Sequence, residues 1–326
     1  MKEKEFIHNI AKSFHSHSAL LTKGIGDDCA VFGCHDTMEW LISTDLLVEN
    51  VHFVLDWHDP YKLGRKCVAV NLSDIAAMGG TPHFVLFSLS LPQHVDDSWL
   101  IRWQEGAASI LTQYDCSLIG GDTTSGEILT VNVVILGRGK KNEILYRSGA
   151  REGQDIYVTG LLGSSAAGLE ILKRGSGCIS EYQDLVEAHL NPEPQVQTGK
   201  LLSKSGYVSA MQDISDGLAT DLSHICTASG TGAVISREML PVSVKTAQAA
   251  THCNVDHMDL VLQGGEDYQL VFTAEKRNRE GIESLAENYK LSITRVGKIT
   301  AGSDVFLQDA RGSLKNITFC GFEHQS

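Results

Sequence analysis

Apolar and polar positions along this chain switch repeatedly between a period of two and a period near 3.6. Residues 40–45, 82–91 and 128–137 are short runs of large and β-branched residues that predict strands. Residues 60–78 and 97–114 place apolar positions at helical spacing, and in the second Trp99, Trp103, Ile110 and Tyr114 fall near one face. A glycine-rich, locally basic stretch at 137–153 follows, carrying Arg138, Lys140, Lys141, Arg147 and Arg151. Beyond it a second series starts with a strand at 155–159, a glycine turn at 160–163 and a helix at 164–173. Helices at 216–229 and 281–290 and strands at 233–235, 268–273, 292–296 and 305–307 complete the pattern. Two series of alternating strands and helices imply an α/β architecture with a junction near the middle of the chain.

The helix at 60–78 carries an anomaly. Leu63, Cys67 and Val70 form an apolar stripe whose next position is Asp74, followed by Ala77 and Met78, before Gly79-Gly80 ends the helix. The pattern turns a carboxylate toward the interior, where an unpaired charge is strongly disfavoured. A cation, a dense hydrogen-bond network or a raised pKa must compensate. No Lys or Arg occurs between Lys66 and Arg102, which favours metal over a capped or neutral Asp74.

Other acids sit in similar settings beside glycines or at element ends. They are Gly24-Ile-Gly-Asp-Asp28, Ile42-Ser-Thr-Asp45, Gly120-Gly-Asp122, Asp213-Ile-Ser-Asp-Gly217 and Gly264-Gly-Glu-Asp-Tyr268. Adjacent like charges without basic neighbours call for a cation, and hard oxygen ligands suit Mg2+. Each motif alone reads equally as a turn or a helix cap, but together they are harder to explain that way. Metals held by carboxylates commonly bridge to phosphate, yet Gly-x4-Gly-Lys-Ser/Thr and Gly-x-Gly-x-x-Gly are both absent. The turn at 160–163 is a weak phosphate signal. Arg147 reads as a phosphate contact or a solvated arginine, His52 as a ligand or an ordinary histidine, and Phe322 as a stacking or a core aromatic.

Composition narrows the function classes. The chain has 326 residues, 42% hydrophobic and 21% charged, with 31 Gly and 6 Pro, which is globular rather than disordered. With 27 Lys+Arg against 40 Asp+Glu, the net charge is −13, so no nucleic acid and no anionic membrane surface is expected as a partner. The opening residues hold no apolar stretch long enough for a signal peptide, and no run approaches the roughly 20 residues of a membrane span. Eight scattered cysteines without a Cys-x-x-Cys pair read as reduced thiols of a cytoplasmic enzyme.

Taken in order, the motifs resemble thiamine-monophosphate kinase. Gly24 to Ala30, Ser43-Thr-Asp45, Asn50-Val-His-Phe53, Ala69 to Gly79, Leu118 to Thr124, Arg147-Ser-Gly-Ala150, Asp213 to Leu218 and Gly264 to Tyr268 carry the likeness, which runs from about residue 5 to 324. The resemblance implies ATP-dependent phosphorylation of thiamine monophosphate to thiamine diphosphate, the last step of its biosynthesis, with several Mg2+ ions and commonly K+. It implies an α/β (α+β), two-domain PurM-like fold. Residues 1–140 would bind ATP and Mg2+ and lend strands to a β-barrel spanning a homodimer; residues 150–326 would complete the nucleotide and substrate site. By motif, Asp28, Ser43, Thr44, Asp45, Asp74, Asp122, Asp213 and Asp216 would form the Mg2+ set. Gly121, Asp122, Arg147 and Ser215 would contact ATP, while His52, Glu266 and Phe322 would face thiamine monophosphate. Phe322 stands where the family has Tyr or Trp, which keeps stacking and removes a polar handle. No residue is expected as an acid or base, because the substrate phosphate is already a nucleophile and the transfer is direct and in line. Selenophosphate synthetase lacks support here, since Cys29 is the first cysteine and lies inside an acid motif. A non-catalytic Mg2+- or nucleotide-binding module would not need His52, Glu266 and Phe322.

Overall fold

The computed structural model describes residues 20–35, 37–175 and 178–323. The polar opening segment and the far end of the family likeness, at residues 1–19 and 324, lie outside these. The first half forms a six-stranded sheet from β1 (Leu21–Lys23), β2 (Ala30–His35), β3 (Met38–Val48), β4 (Thr81–Leu91), β5 (Ser117–Ser125) and β6 (Thr130–Lys140). Their order is β1-β2-β3-β6-β4-β5, with only the β4–β5 pair parallel. The strands at 40–45, 82–91 and 128–137 are therefore present as β3, β4 and β6. β5 was not anticipated. The segment read as a Gly-Gly-Asp motif is an edge strand exposed along its whole length.

Two helices, α1 (Pro60–Ala77) and α2 (Asp97–Gln113), cover one face of this sheet. Asp59 caps α1 by accepting from the Tyr61 backbone N–H at 2.9 Å, and proline fills its first turn. The helices cross at two glycines. A Cβ on Gly64 would lie 2.1 Å from the Trp103 carbonyl oxygen, and one on Gly106 would lie 1.9 Å from that of Tyr61. No side chain fits there, so the backbones meet directly.

No helix or strand occupies the segment between Lys140 and Asp155, where the basic, glycine-rich stretch lies. The second sheet follows, from β7 (Asp155–Thr159), β8 (Val208–Ile214), β9 (Gly232–Ser236), β10 (Gln269–Ala274), β11 (Ile293–Thr300), β12 (Val305–Gln308) and β13 (Leu314–Asn316). Its order is β13-β12-β9-β11-β7-β10-β8, antiparallel except for β9–β12. Seven helices accompany it among the described residues: α3 (Ser164–Arg174), α4 (Gln183–Leu190), α5 (Val196–Ser205), α6 (Leu218–Ser229), α7 (Val244–His252), α8 (His257–Leu262) and α9 (Arg279–Tyr289). The helix expected from residue 216 starts two residues later, because Asp216 and Gly217 (φ 104°) belong to the preceding turn.

α1 lies between the two halves. Leu72, Ile75 and Ala76 share one buried apolar cluster with Met211, Phe272 and Tyr157 of the second sheet. Thirteen residues of this helix are buried, including Lys66, Asn71 and Ser73. A helix buried on all sides can aim polar side chains at both halves at once, and this places the site. No helix among the described residues is long and apolar enough to cross a membrane.

Candidate active site

A cavity of about 1010 Å3 opens between the two halves. Its lining includes Asp28, Ser43, Asp45, His52, Asp74, Arg147, Asp213, Ser215, Asp216, Glu266 and Phe322. Each comes from a different local device. β3 carries Ser43 and Asp45 on alternate positions, and the Asn71 side chain accepts from the Asp45 backbone N–H at 3.1 Å. α1 presents Asp74 where the apolar stripe directs it, and the Ser43 hydroxyl donates to its carboxylate. The next-door Ser73 hydroxyl donates across the halves to Asp213, at 2.6 Å.

Asp28, Asp74 and Asp213 each bring a carboxylate oxygen within 4.8 Å of the others. Burial, before any neighbouring charge, pushes Asp28 up to about 7 and both Asp45 and Asp213 to about 6. Asp74 is raised well above the carboxylate range by burial and then by Asp45, Asp213 and Asp28. Arg147 reaches into this group, with Nη2 2.7 Å and Nε 3.2 Å from the same Asp28 oxygen. The other Asp28 oxygen is buried without a hydrogen-bond partner. One guanidinium does not balance four or five carboxylates, so the donor set retains room for a further cation.

Three expected residues are not brought here. Thr44 alternates to the opposite face of β3, where its hydroxyl donates to the Val133 carbonyl and accepts from Asn132. Gly121 and Asp122 lie on β5. Register carries Asp45 through Val133 and Phe87 to Gly121, and Leu46 through Asn132 and Ser88 to Asp122. That is three strand steps, roughly 14 Å. Neither Gly121 nor Asp122 lines the cavity. Within one chain Asp122 cannot join the Asp28, Asp74 and Asp213 group.

Two further acids, one from the motifs and one outside them, serve the scaffold. Asp267 accepts from the Gly163 N–H at 2.6 Å and the Ser165 N–H at 3.1 Å, so it caps α3 from outside. This fills the helix N-terminus after the glycine turn at 160–163, which is therefore no phosphate cradle. Asp221 was not anticipated. One of its oxygens accepts from the Ser215 and Asp216 backbone N–H groups, each at 3.1 Å, and the other from Gln212 at 2.9 Å.

The second group of lining residues is paired within the protein. Lys66, fully buried on α1, lies 3.1 Å from both carboxylate oxygens of Glu266 and donates to the His189 carbonyl at 3.0 Å. His189 Nδ1 stands 3.1 Å from the same carboxylate. Burial raises the Glu266 pKa, but Lys66 first and His189 next outweigh it and hold the carboxyl well below the usual range. Burial and then Lys66 lower both His58, to about 3, and His189, so both rings are neutral. His52 Nδ1 accepts from the Val48 backbone N–H at 3.0 Å, which leaves its ring proton on Nε2.

Family models for AIR synthase related proteins match this architecture in order, the N-terminal domain at residues 26–139 and the C-terminal domain at 151–310. The chain is thus an AIR synthase related protein in both halves. It is 38% identical to the thiamine-monophosphate kinase of Escherichia coli (strain K12), over 92% of this chain and 91% of that one. It is 36% identical to that of Bacillus subtilis (strain 168), with the same coverage. The solved structure of AaThiL complexed with AMPPCP and TMP superposes with a TM-score of 0.83 at 31% identity, covering 97% of this chain and 96% of the other. The chain belongs to the thiamine-monophosphate kinase family and is an enzyme of the kinase class.

Proposed function

We propose that the chain transfers the terminal phosphoryl group of ATP directly and in line to thiamine monophosphate, with Mg2+, as a homodimer. The observation that carries this reading is the group of buried Asp28 and Asp213 and half-buried Asp74, with its orphaned Asp28 oxygen, inside a cavity that also presents Arg147 and Glu266. A hard cation fits that donor set, with Ser43, Asp45 and Asp216 beside it. Bound there, Mg2+ supplies charge neutralisation between two anionic substrates. Arg147 and Ser215 orient the ATP phosphates; His52, Glu266 and Phe322 receive the acceptor. No side chain is assigned a proton. The substrate phosphate is a competent nucleophile, so positioning is what these residues contribute.

Asp122 and Gly121 enter from a second copy. β5 exposes Leu118 and Ile119 at 52% and 55% along an unpaired edge, a surface that favours pairing with another chain. Mixing Asp74→Asn with Asp122→Asn protein tests this. If the site is shared, the mixture regains about a quarter of wild-type activity, since half the dimers are mixed and each holds one intact site. No recovery from two inactive variants assigns Asp122 to its own chain, and an active Asp122→Asn protein assigns it to no site.

The free thiols at the seven cysteines whose side chains are described fit a reducing, cytoplasmic setting. The deciding assay incubates the protein with ATP, Mg2+ and thiamine monophosphate, with and without K+, and follows thiamine diphosphate and ADP. No turnover here, with turnover on another phosphate acceptor, overturns the reading.

A further inference from the structure

Lys66 and Glu266 lie 200 positions apart and meet across the two halves, beside the cavity. A fully buried lysine needs a reason, because its ammonium forfeits hydration that only good partners replace. Here Lys66 donates to one oxygen of Glu266 and to the His189 carbonyl, and the second Glu266 oxygen completes the ion pair at 3.1 Å. The Glu266 backbone is unusual too. Its φ is +65° and that of Tyr268 is +48°, two left-handed non-glycine residues within three positions. Such a conformation persists only where its surroundings enforce it, and it clusters at functional sites. The enforcing contacts are all present. The Glu266 N–H donates to the Ser215 carbonyl at 2.8 Å, and that of Tyr268 to Ile214 at 2.9 Å. Asp267 is drawn one way, to the N-terminus of α3, and Glu266 the other way, to Lys66.

Two carboxylate oxygens offer about four acceptor positions. Lys66 and His189 both stand 3.1 Å from Oε2, whereas Oε1 has only Lys66 near it, so the carboxylate keeps room for a donor entering the cavity. Glu266 keeps 26% of its side chain exposed, whereas that of Lys66 is wholly covered. The lysine thus stands behind the carboxylate and never meets the substrate.

We propose that Lys66 is a positioning residue that aims the Glu266 carboxylate at thiamine monophosphate from across the two halves. The proposal rests on the reading that Glu266 faces that substrate. Its test is a double-mutant cycle on the full chain with Lys66→Met, Glu266→Gln and the pair. Steady-state kinetics are measured for each substrate, and Tm is followed as a check on folding. Lys66→Met is expected to raise KM for thiamine monophosphate at least about tenfold while moving KM for ATP less than about twofold. In the Glu266→Gln background the same substitution should add almost nothing, because the group through which Lys66 acts is already gone. Effects that multiply, KM values that rise together for both substrates, or an unchanged Lys66→Met enzyme each overturn the proposal. If Glu266→Gln itself leaves KM for thiamine monophosphate unchanged, the reading of Glu266 fails and the proposal with it. Lys66→Met strips a half-buried carboxylate of its cation and is the variant most prone to misfold. The pair removes both charges, so its comparison with Glu266→Gln alone decides the matter even then.

Discussion

The cavity is lined by two groups of buried and half-buried acids whose chemistry is the same and whose behaviour is opposite. Asp28, Asp45, Asp74 and Asp213 hold their protons far more tightly than a carboxyl in water, whereas Glu266 gives its proton up more readily. Burial acts in the same direction on all five. The difference is that Glu266 has Lys66 and His189 against it, while the aspartates face mainly one another and share a single Arg147. A fold that surrounds one carboxylate with donors and gives four others a single guanidinium leaves those four with excess negative charge. The comparison separates scaffold electrostatics from ligand electrostatics within one cavity.

The strongest way to break this comparison is Asp74→Asn. If Asp74 is a ligand for a mobile cation, kinase activity at limiting Mg2+ falls at least about 100-fold. Near-wild-type activity of that variant at limiting Mg2+ would place Asp74 with the scaffold acids.

A smaller effect is expected in the metal-free protein. The folded aspartates bind protons more tightly than the unfolded chain, whose Asp pKa is about 3.9. Their stabilising share is therefore complete below about pH 4 and lost as pH rises through the folded values of about 6 and 7. His58 and His189 act oppositely, but only below their unfolded value of about 6.5. Between pH 6.5 and 8 the acids govern. In EDTA, Tm should fall by a few degrees across that interval. Mg2+ should raise Tm more at pH 8 than at pH 6.5, where it must displace protons. A flat or rising EDTA curve, or a Mg2+ shift independent of pH, contradicts the contrast.

The smallest effect belongs to Asp221, a buried acid near the same group that acts through backbone hydrogen bonds. Asp221→Asn can still accept from Ser215 and Asp216 and, once the Gln212 amide turns over, donate to its side-chain oxygen, which has no partner. Its activity should stay within about threefold of wild type, while Asp221→Leu loses the loop geometry and at least about tenfold. Equal losses in both would show that the Asp221 charge itself matters.

Much of the site was legible because its acids interrupt patterns that should not contain them. Asp74 on an apolar helical stripe and Asp45 at the end of an apolar strand both carry signals in periodicity, and both line the cavity. Lys66 carries no such signal. It reads as a solvated lysine until a carboxylate 200 positions away is folded against it. β5 was illegible for another reason: glycines and an acid at 120–122 mimic a turn, and an exposed edge strand has no buried face to impose alternation. Asp267 misled in the opposite sense. Its place beside Glu266 suggested a shared role, but adjacent side chains leave a strained loop in different directions, and this one ends on the N-terminus of α3.

The position of Asp122, three strands from the cavity of its own chain, bears on how the enzyme behaves at low concentration. Under the proposed sharing, an isolated chain holds an incomplete set of ligands, and turnover per chain depends on total protein. Diluting the enzyme below the dissociation constant of the dimer would lower specific activity, and adding substrates would restore it by favouring the assembled form. Expression level would then set rate twice, once through the number of chains and again through the fraction that have met.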